Sequence, residues 1–266
     1  MTLSNYQFAF NGLTIGVGTP YTIENIDGLG GTSPLRVQDD NRGYIDGSYS
    51  GRDFYDARTV AFNILITGDG THNAQYYYKQ LQSAFAPQVL GYYVDPTVSG
   101  SQPNALQLFQ YQLTSDTGPK RMYGRSRGVT TSINPEFGFG YILAMVDFYF
   151  PDPRYYDETA TTATGTSPTL SNTGWATSSP VITIASPSAS GSITDGITTM
   201  SFANINTAVP LVIDLLQRII YSGGVPTRNV MTGSSNGWLS LAPNTSSVTW
   251  TSTVGSMSIP YRNAYI

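Results

Sequence analysis

The sequence predicts a mainly β protein built in two domains, and three observations carry that expectation. Composition is the first: 27 Gly, 16 Pro and 19 Tyr stand beside abundant Ser and Thr in 266 residues, a mixture suited to pleated surfaces and tight turns. The second is periodicity, since apolar residues recur in short runs between turn residues and only one segment repeats them at three-to-four spacing. The third is a change of character across FYFPDPRYYDETATTATGTSPT, residues 148–169. Residues 1–158 hold ten of the thirteen basic residues and fifteen of the seventeen acidic ones. The remaining 108 residues carry only Asp195, Asp214, Arg218, Arg228 and Arg262. We read this as a domain at 1–158, a linker rich in Thr, Ala, Gly and Ser at 159–168, and a β-sandwich at 169–266. Each domain is large enough to bury its own core.

The first domain opens with FAFNGLTIG, residues 8–16. Asn11-Gly12 predicts a hairpin there, because both central residues of a type I′ turn need positive φ. NIDGLGG and SPLRVQDDNRGYIDGSYSGRD follow, broken by Gly and thick with charge. TVAFNILITG (59–68) is β-branched and runs into Gly68-Asp69-Gly70, a strand entering a turn. THNAQYYYKQLQSAFAP then predicts the one packed helix, about residues 72–86. Thr71 or Asn73 can cap it, Tyr77, Tyr78, Leu81, Ala84 and Phe85 share a face, and Pro87 ends it. Further strands are expected at 105–113, 121–133 and 140–150.

In the second domain short strands are expected at PVITIA (180–185), ITTMSFAN (197–204), VPLVIDLL (209–216) and RIIYS (218–222). GWLSLA (237–242), SVTWTS (247–252) and MSIPYRNAYI (257–266) complete the set. Regular spacing with turns between and no helical period is the pattern of a β-sandwich. Thirty-seven of the last 108 residues are Ser or Thr, so outward positions are hydroxyls rather than charges.

Charge and residue types exclude several kinds of chemistry. The net charge is −4 with two lysines among thirteen cations, whereas stable binding of phosphates needs clustered cations. No Cys is present, which removes disulfides and thiolate metal sites. MTLSNYQFAFNG has no basic or apolar segment of a signal peptide, and no apolar run approaches membrane-spanning length. The single histidine, His72, lies at the helix start and reads as an exposed loop or cap residue; nucleophilic catalysis would need a base beside a nucleophile. Asp39, Asn41 and Asp46 loosely follow an oxygen-ligand loop but not the EF-hand order. Asp214 stands four residues before Arg218, a local structural pair rather than half of a catalytic carboxylate couple. We therefore expect no cofactor, no metal and no enzymatic activity. Trp238 and Trp250 stand in strand-like runs and read as core, which leaves Trp175, in SNTGWATSSP, as a candidate platform for a sugar face.

One segment is dense in charge. From Asp39 to Arg58, eight of twenty residues are ionised, with Gly43, Gly47 and Gly51 between them. We read this excursion as a contact with a neighbouring copy, since mixed charges set register and partner choice. Its candidate contact residues are Arg36, Asp39, Asp40, Arg42, Asp46, Arg52, Asp53, Asp56 and Arg58. Arginine outnumbers lysine eleven to two, and its planar fork is the cation favoured at interfaces.

The order of these parts resembles the distal tail proteins, often called Dit, of long-tailed non-contractile bacteriophages. The resemblance runs from FAFNGL through DDNRGYIDGSYSGRD, ARTVAFNILITG, YYYKQLQSAFAP and FYFPDPRYY. It continues through PVITI, LVIDLLQRIIYSGG, GWLSLAPNTSSVTW and IPYRNAYI. The run LSLAPNTSS departs from it, lacking the family's Pro-Gly-x-Asn turn. The resemblance implies a tail-tube-like β-barrel or sandwich with one helix, then an outward galectin-like sandwich. It implies a homo-hexameric ring between the tail tube protein and the tip or hub protein, near the tape measure and receptor-binding proteins. It also implies residence at the distal end of the virion tail after assembly in the host cytoplasm, and no membrane insertion. DNA would meet such a ring only in transit, and acids of the first domain would face that bore. The alternative is a glycan-binding module or adhesin acting at the host surface.

Overall fold

The computed structural model describes residues 3–31, 33–42, 46, 48–51, 53–86, 106–114, 116–131 and 140–266. The chain forms two compact units, Met1–Tyr155 together with Ile266, and Tyr156–Tyr265.

In the first unit the strands are β1 (Gln7–Phe10), β2 (Leu13–Gly16), β3 (Tyr21–Asp27), β4 (Leu35–Arg36), β5 (Asp40–Asn41), β6 (Ser48–Tyr49), β7 (Phe54–Tyr55) and β8 (Arg58–Ile66). Helix α1 (Ala74–Ala84) precedes β9 (Gln107–Gln112), β10 (Lys120–Thr131) and β11 (Ile142–Phe150). Strands β1 and β2 form the expected hairpin, Phe10 opposite Leu13, with Asn11 at φ 46° and Gly12 at φ 80°. Antiparallel pairing then runs in the order β2-β1-β9-β10-β11-β8-β3. Strand β8 alternates strictly, Val60, Phe62, Ile64 and Ile66 being fully buried, as one covered face dictates. At the end of β3, Gly28 sits at φ +83°, and a Cβ there would lie 2.1 Å from the Thr59 carbonyl oxygen. Only glycine fits.

The helix forms because its caps and its apolar face agree. Asn73 is the N-cap, its side-chain oxygen accepting from the Tyr76 N–H at 2.9 Å, and the Phe85 N–H closes the last turn on the Leu81 carbonyl. Leu81 and Phe85 are buried, with Tyr77, Tyr78 and Ala84 packed beside them. Phe85 stacks on Phe10 at 5.0 Å and meets Phe148 edge-on at 5.2 Å. Phe62, Phe109 and Phe148 continue this aromatic core, and such ring pairs add to area burial.

The second unit holds β12 (Tyr155–Asp157, its first residue belonging to the first unit), β13 (Thr161–Gly165), β14 (Thr169–Asn172), β15 (Val181–Ile184), β16 (Gly191–Thr194), β17 (Thr199–Phe202), β18 (Leu211–Asp214) and β19 (Ile219–Ser222). After β20 (Val225–Pro226) and a 3-10 turn come β21 (Met231–Ser235), β22 (Thr245–Thr249), β23 (Thr251–Ser252), β24 (Met257–Tyr261) and β25 (Ala264–Tyr265). One sheet runs β13-β24-β15-β18-β19-β20, another β21-β17-β16-β23, and β14 pairs with β22. Ile184, Ile213 and Ile259 of the first sheet meet Ile193, Met200 and Phe202 of the second in one core, with Trp250 fully buried among them. Asn172 stitches three segments: its Nδ2 donates to the Ala176, Leu241 and Ala242 carbonyls while its Oδ1 accepts from Gly174 and Ala264.

Two expectations change. The Thr-rich run taken as a linker contains β13, paired with β24 over five residues. Threonine is a strong strand former even where no apolar alternation marks it. GWLSLA is not a strand. Positive φ at Asn236, Gly237 and Asn244 closes off both ends, leaving Leu239 and Leu241 buried and a single bridge from Leu241 to Ser178.

Candidate interaction surface

Within the first unit, the described residues between Ser33 and Ala57 pair with one another apart from the main sheet, as a narrow two-stranded arm. Near its base Leu35 pairs with Tyr55 and Arg36 with Phe54, and further out Asp40 pairs with Tyr49 and Asn41 with Ser48. The Asp56 N–H donates to the Pro34 carbonyl at 2.7 Å, and the Gly51 N–H donates to Asp39 Oδ1 at 3.1 Å. Cations lie on the arm's own rings, Arg36 5.5 Å from the Phe54 centroid and Arg42 4.9 Å from that of Tyr49. Large apolar side chains stand bare, including Val37 at 56% and Tyr49 at 64% exposure. A lone two-stranded ribbon is at best marginally stable in water, and clustered exposed apolar groups mark contact surfaces.

Of the predicted contact residues, Arg36, Asp39, Asp40, Arg42, Asp46, Asp53 and Asp56 are exposed on this arm. Arg52 lies outside the described residues. Arg58 is a correction. It is only 2% exposed, with Nη1 donating to the Leu29 carbonyl at 2.7 Å, Nη2 to the Gly31 carbonyl at 3.3 Å, and both Nε and Nη2 to Ser33 Oγ. Burial pushes its pKa down from the ordinary arginine value. Arg58 clamps the two ends of the arm together and is not available to a neighbouring copy. Because it opens a strand whose alternate positions face the core, the period of β8 itself marks it as inward.

The other singled-out residues hold structure. Asp69 Oδ1 accepts from the Thr71 and His72 N–H groups, and its Oδ2 accepts from the Tyr77 hydroxyl at 2.5 Å. The Tyr77 bond and the two backbone bonds hold the Asp69 carboxyl down at about 2, and Asp69 in turn pushes Tyr77 up to about 12. Exposed His72 stacks on Tyr76 at 4.0 Å. Asp214, fully buried, accepts from the Gln217 N–H at 2.8 Å and so fixes the turn into β19. Trp238 packs against the second core, while Trp175 is 56% exposed and meets Tyr265 edge-on at 4.9 Å.

A cleft of about 540 Å³ lies along β2 and β3, lined by Tyr6, Val17, Thr22, Ile23, Glu24 and Ile26 among others. Its lining holds one carboxylate, Glu24, beside the hydroxyls of Tyr6, Thr19 and Thr22, and no histidine, lysine or arginine. Among the described residues, no group of three or more His, Asp or Glu could hold a metal, and no helix is long and apolar enough to cross a membrane.

No family model matches the chain, and no curated protein matches it. In fold, the two β units, with α1 the one α-helix among the described residues, are similar to a bacteriophage hub protein. The particular match is the crystal structure of the Dit (gp 19.1) protein of phage SPP1, described as a paradigm of the hub adsorption apparatus in phages infecting Gram-positive hosts. It superposes with a TM-score of 0.66 at 15% identity, covering 98% of this chain and 99% of that one. Chains of the phage P2 baseplate in its activated conformation, with Ca and with Sr, align over 97% of this chain and 98% of theirs at 10% identity, with TM-scores of 0.47 and 0.45. The chain has a Dit-like fold, and that statement rests on the SPP1 protein.

Proposed function

We propose that this chain is a structural component of a phage tail tip, a hexameric ring adaptor joining the tail tube to the tip or hub and to adhesion proteins. The observation that carries the reading is the end-to-end likeness to the SPP1 hub protein, which spans both units of the chain. The arm supports it, because a ribbon with bare apolar and charged residues acquires a reason to exist once a second copy covers it. Closed cyclic assembly needs a heterologous contact, one surface on each copy meeting a different surface on the next. The arm supplies one of those surfaces.

The ring would stack between the last ring of tube protein and the hub, close to the tape measure protein and with receptor-binding proteins outside. Its place is the distal end of the virion tail, after assembly in the host cytoplasm. The role is mechanical rather than catalytic. A net charge of −4 suits a conduit, because counterion release at a basic wall would retain the passing strand. Negative-stain images of the purified full-length chain test the reading: class averages should show six-fold rings with a central opening. A field of single protomers at concentrations well above those in the images would remove it.

A further inference from the structure

A second exposed feature lies on the outer face of β10 and β11. Met122, Gly124 and Ser126 point inward while Arg125 and Arg127 project into solvent. The pairing of β10 with β11 shifts between Ser126 and Gly128, so Arg127 is the extra residue of a bulge, a device that re-aims a side chain. As a result both guanidiniums lie over one ring, 5.4 and 4.2 Å from the Tyr149 centroid. A single half-buried ring holds each cation only weakly, and the two cations repel one another. Among the described residues neither Arg125 nor Arg127 has an acidic partner. Met145, also on β11, stands exposed on the same strand face, with half-buried Asp147 between it and Tyr149, so the face carries two cations against one carboxylate. Arginine, tyrosine and methionine together are the composition of an interface rather than of a solvated surface.

The arm is the complement of that face. Its described carboxylates are Asp39, Asp40, Asp46, Asp53 and Asp56, against the cations Arg36 and Arg42, and its bare apolar residues include Leu35 and Val37. We propose that the arm of one copy lies across the Arg125/Arg127/Tyr149 face of the next, with arm carboxylates taking the two guanidinium forks and arm apolar groups covering Met145. This rests on the ring reading and names the two surfaces whose meeting would propagate the ring. A planar guanidinium accepts a carboxylate bidentately. The occupant is a second copy because arm and receiving face are different surfaces, the geometry a closed ring requires.

A charge swap in the full-length chain tests it, read by native mass spectrometry with near-UV circular dichroism as the check on folding. R125E/R127E should lose the ring and remain folded, and D40R/D53R should do the same. The four changes combined should regain the ring, which a merely misfolded variant would not. A ring that survives R125E/R127E overturns the proposal while leaving the ring reading intact, and so does a combination that stays monomeric. A wild-type chain that never assembles removes the ring reading and this contact with it.

Discussion

Arg58 stands where the arm rejoins the first sheet, its guanidinium buried against Ser33 and the Leu29 and Gly31 carbonyls. Replacing it with Met fills the same space but leaves those acceptors unpaired. Arg58→Met should lower stability to denaturant by about 3 kcal/mol, the upper range for losing a buried charged donor; an unchanged midpoint would mean the arm is held some other way. Asp69 makes a different prediction. Its folded-state value of about 2 lies below the ordinary 3.8, so its stabilising contribution is complete above about pH 4 and disappears as pH falls through 2. The wild-type melting temperature should therefore drop between pH 5 and pH 2, and Asp69→Asn should flatten part of that drop. Identical slopes would show that Asp69 contributes nothing. Asp69 was legible as a turn residue from Gly68-Asp69-Gly70, but its bond to Tyr77 was not, since a contact eight residues away across a turn leaves no periodic trace. Arg58 carried the opposite hazard: amid seven other charges it looked like surface, and only the alternation of β8 marks it as buried.

Among elements, those legible in the sequence are the ones in which local chemistry and burial point the same way. Asn11-Gly12 names its own turn, and the helix carries both a cap at Asn73 and an apolar face ending at Phe85. Because Phe85 joins helix to sheet through Phe10 and Phe148, Phe85→Ala should cost about 3–5 kcal/mol in denaturant unfolding, the range for emptying an aromatic site in a core. A loss below about 1 kcal/mol would mean that the helix docks without it. Strands β13, β16 and β21 were illegible because each offers a single inward apolar residue, Ala163, Ile193 or Met231, amid Thr, Ser and Gly, which leaves no alternation to read. The arm was legible as a charged excursion, but not as a ribbon, since its ladders are only two residues long. GWLSLA misled in the other direction. Its leucines alternate toward the core as a strand's would, yet the left-handed residues at either end prevent a ladder from extending.

At the scale of the whole molecule, the drop in charge after residue 158 accompanies a change in how surfaces are made polar. The first unit uses Arg and Asp in places where a partner can be recognised, and the second uses hydroxyls that match a strand backbone. The site follows from the same contrast. Among the described residues the arm's apolar groups stay bare and Arg125 and Arg127 have no acidic partner, and in the proposed contact each surface supplies what the other lacks. If copies of this chain complete one another as proposed, the mass of the purified full-length protein under native conditions reads it out. The dominant species should contain six chains and dissociate toward single chains as the salt concentration rises, because charged contacts at an interface rim are screened. A species of one chain at every concentration and ionic strength would contradict it.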